Sequence, residues 1–97
     1  MNQKVIVIEN QEKVNYLESL CYEVNARKDL LHYMIQSGTG PDNEAFRAYH
    51  DEYRRFFVQY EAAKAELERE YVKPLGDNLR WDLDFKTRKL TIRGDFA

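Results

Sequence analysis

A single cysteine, Cys21, excludes an internal disulfide and any zinc site built from cysteines. Glycine and proline are scarce, at four and two, so nearly all of the chain is expected in regular elements. No run approaches the ~18 apolar residues that span a bilayer, and no apolar signal block opens the chain, so a cytosolic protein is expected without membrane contact. An excess of one charge is missing too. Fifteen Lys and Arg against seventeen Asp and Glu leave a formal charge of -2, which argues against a generic polyanion binder. Glycine-rich phosphate loops, metalloprotease motifs and serine-nucleophile motifs are all absent. What remains is 33% charged and 43% hydrophobic residues over 97 positions, the balance of one folded domain spanning residues 1–97.

The order of elements follows from periodicity. The β-branched run Val5-Ile6-Val7-Ile8 predicts a strand over 4–9, apolar on both faces and therefore covered on both. Val14, Leu17, Cys21, Val24, Lys28, Leu31 and Ile35 then recur by threes and fours, predicting a helix over 11–37 with a heptad seam. Gly38 and Pro41 end it, and Thr39 or Asp42 can cap the next helix. Phe46, Tyr49, Tyr53, Phe56, Tyr60, Ala63 and Leu67 carry a second seam on a helix over 43–73, which stops at Pro74.

Two such seams around a short loop predict an antiparallel α-hairpin of coiled-coil type. Its register sets Ile35 level with Phe46, Leu31 with Tyr49, Lys28 with Tyr53 and Val24 with Phe56. Cys21 then meets Tyr60, Leu17 meets Ala63 and Val14 meets Leu67. Lys28 is the one polar member, facing a tyrosine ring that takes its stem or its cation.

Beyond Gly76 the period falls to two. Leu79, Trp81, Leu83 and Phe85, then Leu90, Ile92 and Phe96, alternate with polar residues and predict a β-hairpin over 79–96. Pairing Phe85 with Leu90 sets Leu83 opposite Ile92, Trp81 over Gly94 and Leu79 opposite Phe96. It also matches Asp82 with Arg93 and Arg80 with Asp95. The expected class is α+β, mainly α: a long helical hairpin with a small antiparallel sheet made from the N-terminal strand and this β-hairpin.

Chemistry is thin. His32 and His50 are the only histidines, and as solvated helix residues they fall short of the three or four ligands a metal needs. Cys21 on the seam is a small core hydrophobe with nothing nearby to make a thiolate. Glu61, Glu66, Glu68 and Glu70 alternate with Lys64 and Arg69 as a charge-laced solvent face, with no cleft in which to shelter a catalytic pair. No catalytic residue, cofactor, metal or small-molecule substrate is expected. Lys86, Arg88, Lys89 and Arg93 form a local basic patch that could touch nucleic acid.

Surplus apolar surface is the more informative feature. Tyr16, Leu20, Leu30 and Met34 flank the first seam, and Phe57 and Tyr71 flank the second. They widen each apolar stripe beyond what a lone helix pair buries. The small sheet would cover them in the plainer case, and a protein partner or second copy in the functional one.

The stretches Tyr16-Leu17-Glu18, Arg27-Lys28-Asp29-Leu30-Leu31, Tyr49-His50-Asp51-Glu52-Tyr53, Phe56-Phe57-Val58-Gln59-Tyr60-Glu61 and Trp81-Asp82-Leu83-Asp84-Phe85 together resemble small helical-hairpin proteins of phages and prophages of Gram-positive bacteria. The resemblance is architectural and covers most of the chain. It implies a non-catalytic virion component or accessory factor, in the host cytoplasm or the virion, that oligomerises or docks on a larger assembly. An inhibitor of a host enzyme or defence complex is the alternative it allows.

Overall fold

The computed structural model describes residues 2–96. Their order is β1 (Asn2–Val7), α1 (Gln11–Gln36), α2 (Glu44–Leu67), β2 (Arg80–Asp84) and β3 (Lys89–Gly94). The fold is α+β and mainly α, two helices and one antiparallel sheet, as the periodicities require. The chain divides into two compact units that both helices thread. One comprises the residues up to Glu18 and from Ala63 onward, and the other is Ser19–Ala62.

Within Ser19–Ala62 the two helices run antiparallel around a short loop whose ends are chemically fixed. Gly38 takes a left-handed conformation at φ 85°. The N–H of Gly38 donates to Ile35 O at 3.0 Å and that of Thr39 to Met34 O at 2.8 Å, a Schellman closure of α1. Asn43, and neither Thr39 nor Asp42, caps α2: its Oδ1 accepts from the N–H groups of Ala45 and Phe46 at 2.8 and 3.2 Å. Leu20, Val24, Leu31 and Phe46 are buried here, with Cys21, Tyr53, Phe56 and Tyr60 half-buried.

The seam drifts from the expected heptad. Arg27, not Lys28, is its polar member; Lys28 is exposed. Ile35 and Tyr49, assigned to the seam, are 57% and 43% exposed, while Met34 is half-buried. An apolar helical face admits either a +3 or a +4 step from each of Leu17, Val24 and Leu31, and here the +3 positions Leu20, Arg27 and Met34 are the more covered.

The other unit holds the sheet. Its strand order is β1-β3-β2, antiparallel throughout, with Leu90 and Ile92 of the central strand fully buried. Ile6, Trp81 and Leu83 share that covered face, while Gln3, Val5, Val7, Thr91 and Asp82 lie on the other. That second face is open: Val5 and Val7 are 50% and 49% exposed, so β1 is not covered on both sides as its composition suggests. The buried Ile8 lies just beyond the strand.

The β2–β3 register differs from expectation by two residues. Leu83 faces Leu90, Trp81 faces Ile92 and Arg80 faces Arg93. An even slip keeps every side chain on its face, so alternation cannot distinguish the two registers. The turn decides. Asp84 Oδ1 accepts from the N–H groups of Lys86 and Thr87 at 2.9 and 3.2 Å, and Arg88 closes the loop in a left-handed conformation at φ 62°. Arg93 still reaches Asp82 diagonally at 2.9 Å.

Between helix and sheet, α2 widens into a π-helical turn at Glu68–Val72 and then a 3-10 turn at Lys73–Leu75. Pro74 has no N–H to offer Glu70, so the α-helical ladder could not have continued past it. The widened turn aims Glu68 at the sheet, where its Oε1 accepts from Trp81 Nε1 at 2.8 Å.

Gly94 ends β3 at φ 139°, and a Cβ there would lie 2.7 Å from Leu79 Cδ2. Gly94→Ala should therefore cost about 1–3 kcal/mol in chemical denaturation. Gly40→Ala, which meets no atom within 4 Å, should leave the midpoint essentially unchanged.

Candidate functional site

The best-built polar constellation in the chain centres on Arg27. From α1 its Nε donates to Glu52 Oε1 of α2 at 2.8 Å, and its NH1 reaches both the backbone O and the carboxylate of Glu23. Its guanidinium also lies 4.0 Å from the centre of the Phe56 ring. Partial burial works against the charge, but the hydrogen bonds it donates to Glu52 and Glu23 prevail, and the pKa rises above the ordinary guanidinium value. Each of its three nitrogens therefore has a partner within the chain. Arg27 fixes the helix register rather than offering a free cation.

On the same seam Tyr60 shares a hydrogen bond with Cys21, as the antiparallel register requires. Burial, and then its neighbour Cys21, push the phenol above its usual range. The Tyr60 phenol is thus neutral near pH 7, and Cys21 packs half-buried in the seam beside it.

An aromatic ladder climbs one flank of α2. The rings of Phe46, His50, Tyr53 and Phe57 follow one another at 6.3, 6.3 and 5.8 Å between centroids. His50 is thereby a stacking member. Among the described residues no group of three or more His, Cys, Asp or Glu is arranged to hold a metal ion, and no helix is long and apolar enough to cross a membrane.

The six flank residues singled out from the sequence do not form one surface. Leu20 is only 4% exposed, so it belongs to the core and is withdrawn as an interface residue. Leu30 and Met34 lie near the Arg27 edge of α1, Leu30 exposed and Met34 half-buried. Phe57 stands five residues beyond Glu52, about 140° around α2, and so occupies the opposite edge from the Arg27–Glu52 pair. In the sheet-bearing unit the exposed Tyr16 and half-buried Tyr71 rim a small apolar recess of about 50 Å3, floored by Ile8, Val14, Leu17 and Leu67. The exposed Lys13–Glu70 ion pair, at 2.6 Å, closes one side.

The most exposed aromatic side chains lie off both seams. Tyr22 and Tyr33 are 71% and 68% exposed. They stand eleven residues apart on α1, three turns, and so share one outer face. Val58 on α2 is exposed to a similar degree. That three-turn spacing was legible in the sequence, but it lies off the heptad.

The basic patch at the β-turn is less free than its sequence suggests. Arg93 is held by Asp82 at 2.9 Å and Gln3 at 3.4 Å, and Arg88 donates to Glu9 O at 3.2 Å. Lys86 and Lys89 are exposed, with Asp82 and Asp84 interleaved beside Lys89 on the open face of the sheet. The patch thus has two unpaired lysines among carboxylates, a weak footprint for a phosphate backbone.

Arg27→Ala should destabilise the chain by about 1–2 kcal/mol in chemical denaturation, through the lost charged hydrogen bonds and ring contact. Arg27→Lys should recover only part of this, since an ammonium cannot reproduce the fork. Lys13→Ala, which breaks an exposed pair, should leave the midpoint unchanged.

Comparison with known proteins returned no matching family model, no matching curated protein and no matching solved structure.

Proposed function

We propose that the chain is a non-catalytic interaction protein, of the kind phages of Gram-positive bacteria encode, that oligomerises or docks on a larger protein assembly. The observation that supports this is the outer face of α1, where Tyr22 and Tyr33 are each about two-thirds exposed on a helix. Tyrosine offers large contact area for little lost side-chain freedom, and it is enriched where proteins meet. Leu30 is also exposed on α1, and Phe57 and Val58 are exposed on α2. The polar groups that could have suggested chemistry serve the fold instead: Arg27 is saturated and His50 is stacked.

Docking through aromatic side chains is favoured over nucleic-acid contact through Lys86, Arg88, Lys89 and Arg93, because two of those four are already bound within the chain. It is favoured over charge mimicry by the α2 surface, where Arg54 and Arg55 interrupt the acidic residues.

A photo-crosslinking amino acid at Tyr22 or Tyr33, expressed in the natural host, should yield one discrete adduct that is absent when the probe replaces Glu12. Equal and diffuse labelling from all three positions would overturn the proposal.

A further inference from the structure

We propose that β1 is a self-pairing edge, joining antiparallel to the β1 of a second copy so that two three-stranded sheets become one. The inference rests on the interaction role proposed above and names one occupant for one surface.

The backbone supplies the first argument. β1 lies at one side of the order β1-β3-β2, so one of its edges has no strand partner. In an antiparallel ladder each residue turns its N–H and C=O to the same side, and successive residues alternate. Ile8 N donates to Arg88 O at 2.9 Å in line with the β1–β3 register, so even-numbered residues of β1 bond inward. Gln3, Val5 and Val7 therefore direct their N–H and C=O outward, and all three are exposed.

Those three positions are self-complementary. With Val5 opposite the Val5 of a second copy, Gln3 falls opposite Val7 and Val7 opposite Gln3. Every outward group then pairs, giving about six backbone hydrogen bonds. A shift of two residues in either direction loses some of them. The shift centred on Lys4 would also oppose the one charge of β1 to itself, whereas the Val5-centred register sets Lys4 against Ile6. The half-exposed valines add apolar contact across the axis, since Val5 meets its own copy on the open face.

The opposite edge is not equivalent. On β2 the outward backbone groups belong to Trp81 and Leu83, whose side chains lie on the covered face. Antiparallel addition of a β1 there would set an open face against a covered one. Arg80, Asp82 and Asp84 also charge that strand, a common protection against edge pairing. Pairing of β1 with β1 keeps both open faces on one side.

Area sets the strength. A six-residue strand is roughly 20 Å long, and pairing along it buries less than the ~800 Å2 per partner of a standing complex. The dimer is therefore reversible and concentration-dependent.

The test is sedimentation velocity on the full chain across a dilution series, with Val5→Lys, Val5→Glu and their equimolar mixture. The wild type should pass from dimer to monomer on dilution. Each variant opposes like charges across the axis and should dissociate at roughly tenfold higher concentration or more; the mixture should regain the dimer. Amide exchange of the wild type gives an independent readout. Gln3, Val5 and Val7 should gain protection only at high concentration, while Lys4 and Ile6 stay protected throughout. A wild type monomeric at every concentration, variants that associate as the wild type does, or a mixture no tighter than its components would each overturn the inference. A monomeric chain that still forms the Tyr22 or Tyr33 adduct would sink the self-pairing alone. A dimer with diffuse crosslinking would sink docking through α1 and leave the edge pairing standing.

Discussion

Strand β3 is the constraint on which the sheet-bearing unit depends. It alone among the described strands is paired on both edges, and its Leu90 and Ile92 are the fully buried side chains of the sheet. Through it an N-terminal strand and a C-terminal strand share one covered face. A two-stranded ribbon would be marginal in water. The third strand and the buried Ile8 that follows it give the ribbon a core. The exceptional local geometry around it follows from the same demand. Gly94 yields space to Leu79, Arg88 turns back through a left-handed conformation, and Glu68 leaves the α-helical path to meet Trp81.

The Ser19–Ala62 unit rests on a different principle. Its aliphatic and aromatic seam is reinforced by one cation, Arg27, whose guanidinium binds a carboxylate of the facing helix while covering the Phe56 ring. A purely apolar seam tolerates sliding by a heptad, whereas a saturated fork has one position. The cation therefore specifies the alignment of the two helices.

Much of this architecture was legible in the residues, and the misses have physical causes. Seam spacing located both helices, and Gly38 with Pro41 located the loop, because period and backbone chemistry are local properties. The choice of Lys28 over Arg27 failed because the two lie at +4 and +3 from Val24 on the same broad stripe, and spacing alone does not say which is covered. The β-hairpin register failed by two residues because alternation is blind to even slips, and the capping of the turn by Asp84 decided it. Val5 and Val7 were expected inside because β-branching reports strand preference and not which face is covered. For the candidate surface, Tyr16, Leu30, Phe57 and Tyr71 were found where side chains remain at least partly accessible, yet Leu20 proved to be core. Tyr22 and Tyr33 carry no heptad signal, because they stand on the outer face of α1 and off its seam.

One feature of the sheet bears on how the molecule comes into being. Gln3 and Arg93, which touch across β1 and β3, are separated by 90 residues in the chain. During synthesis at roughly 5–20 residues per second, the first strand waits several seconds for its own completing strand to leave the ribosome. The helical hairpin between them closes across shorter separations, 25 residues for Arg27 and Glu52, and so forms sooner. On a polysome, where nascent copies crowd together, both margins of that waiting strand are bare.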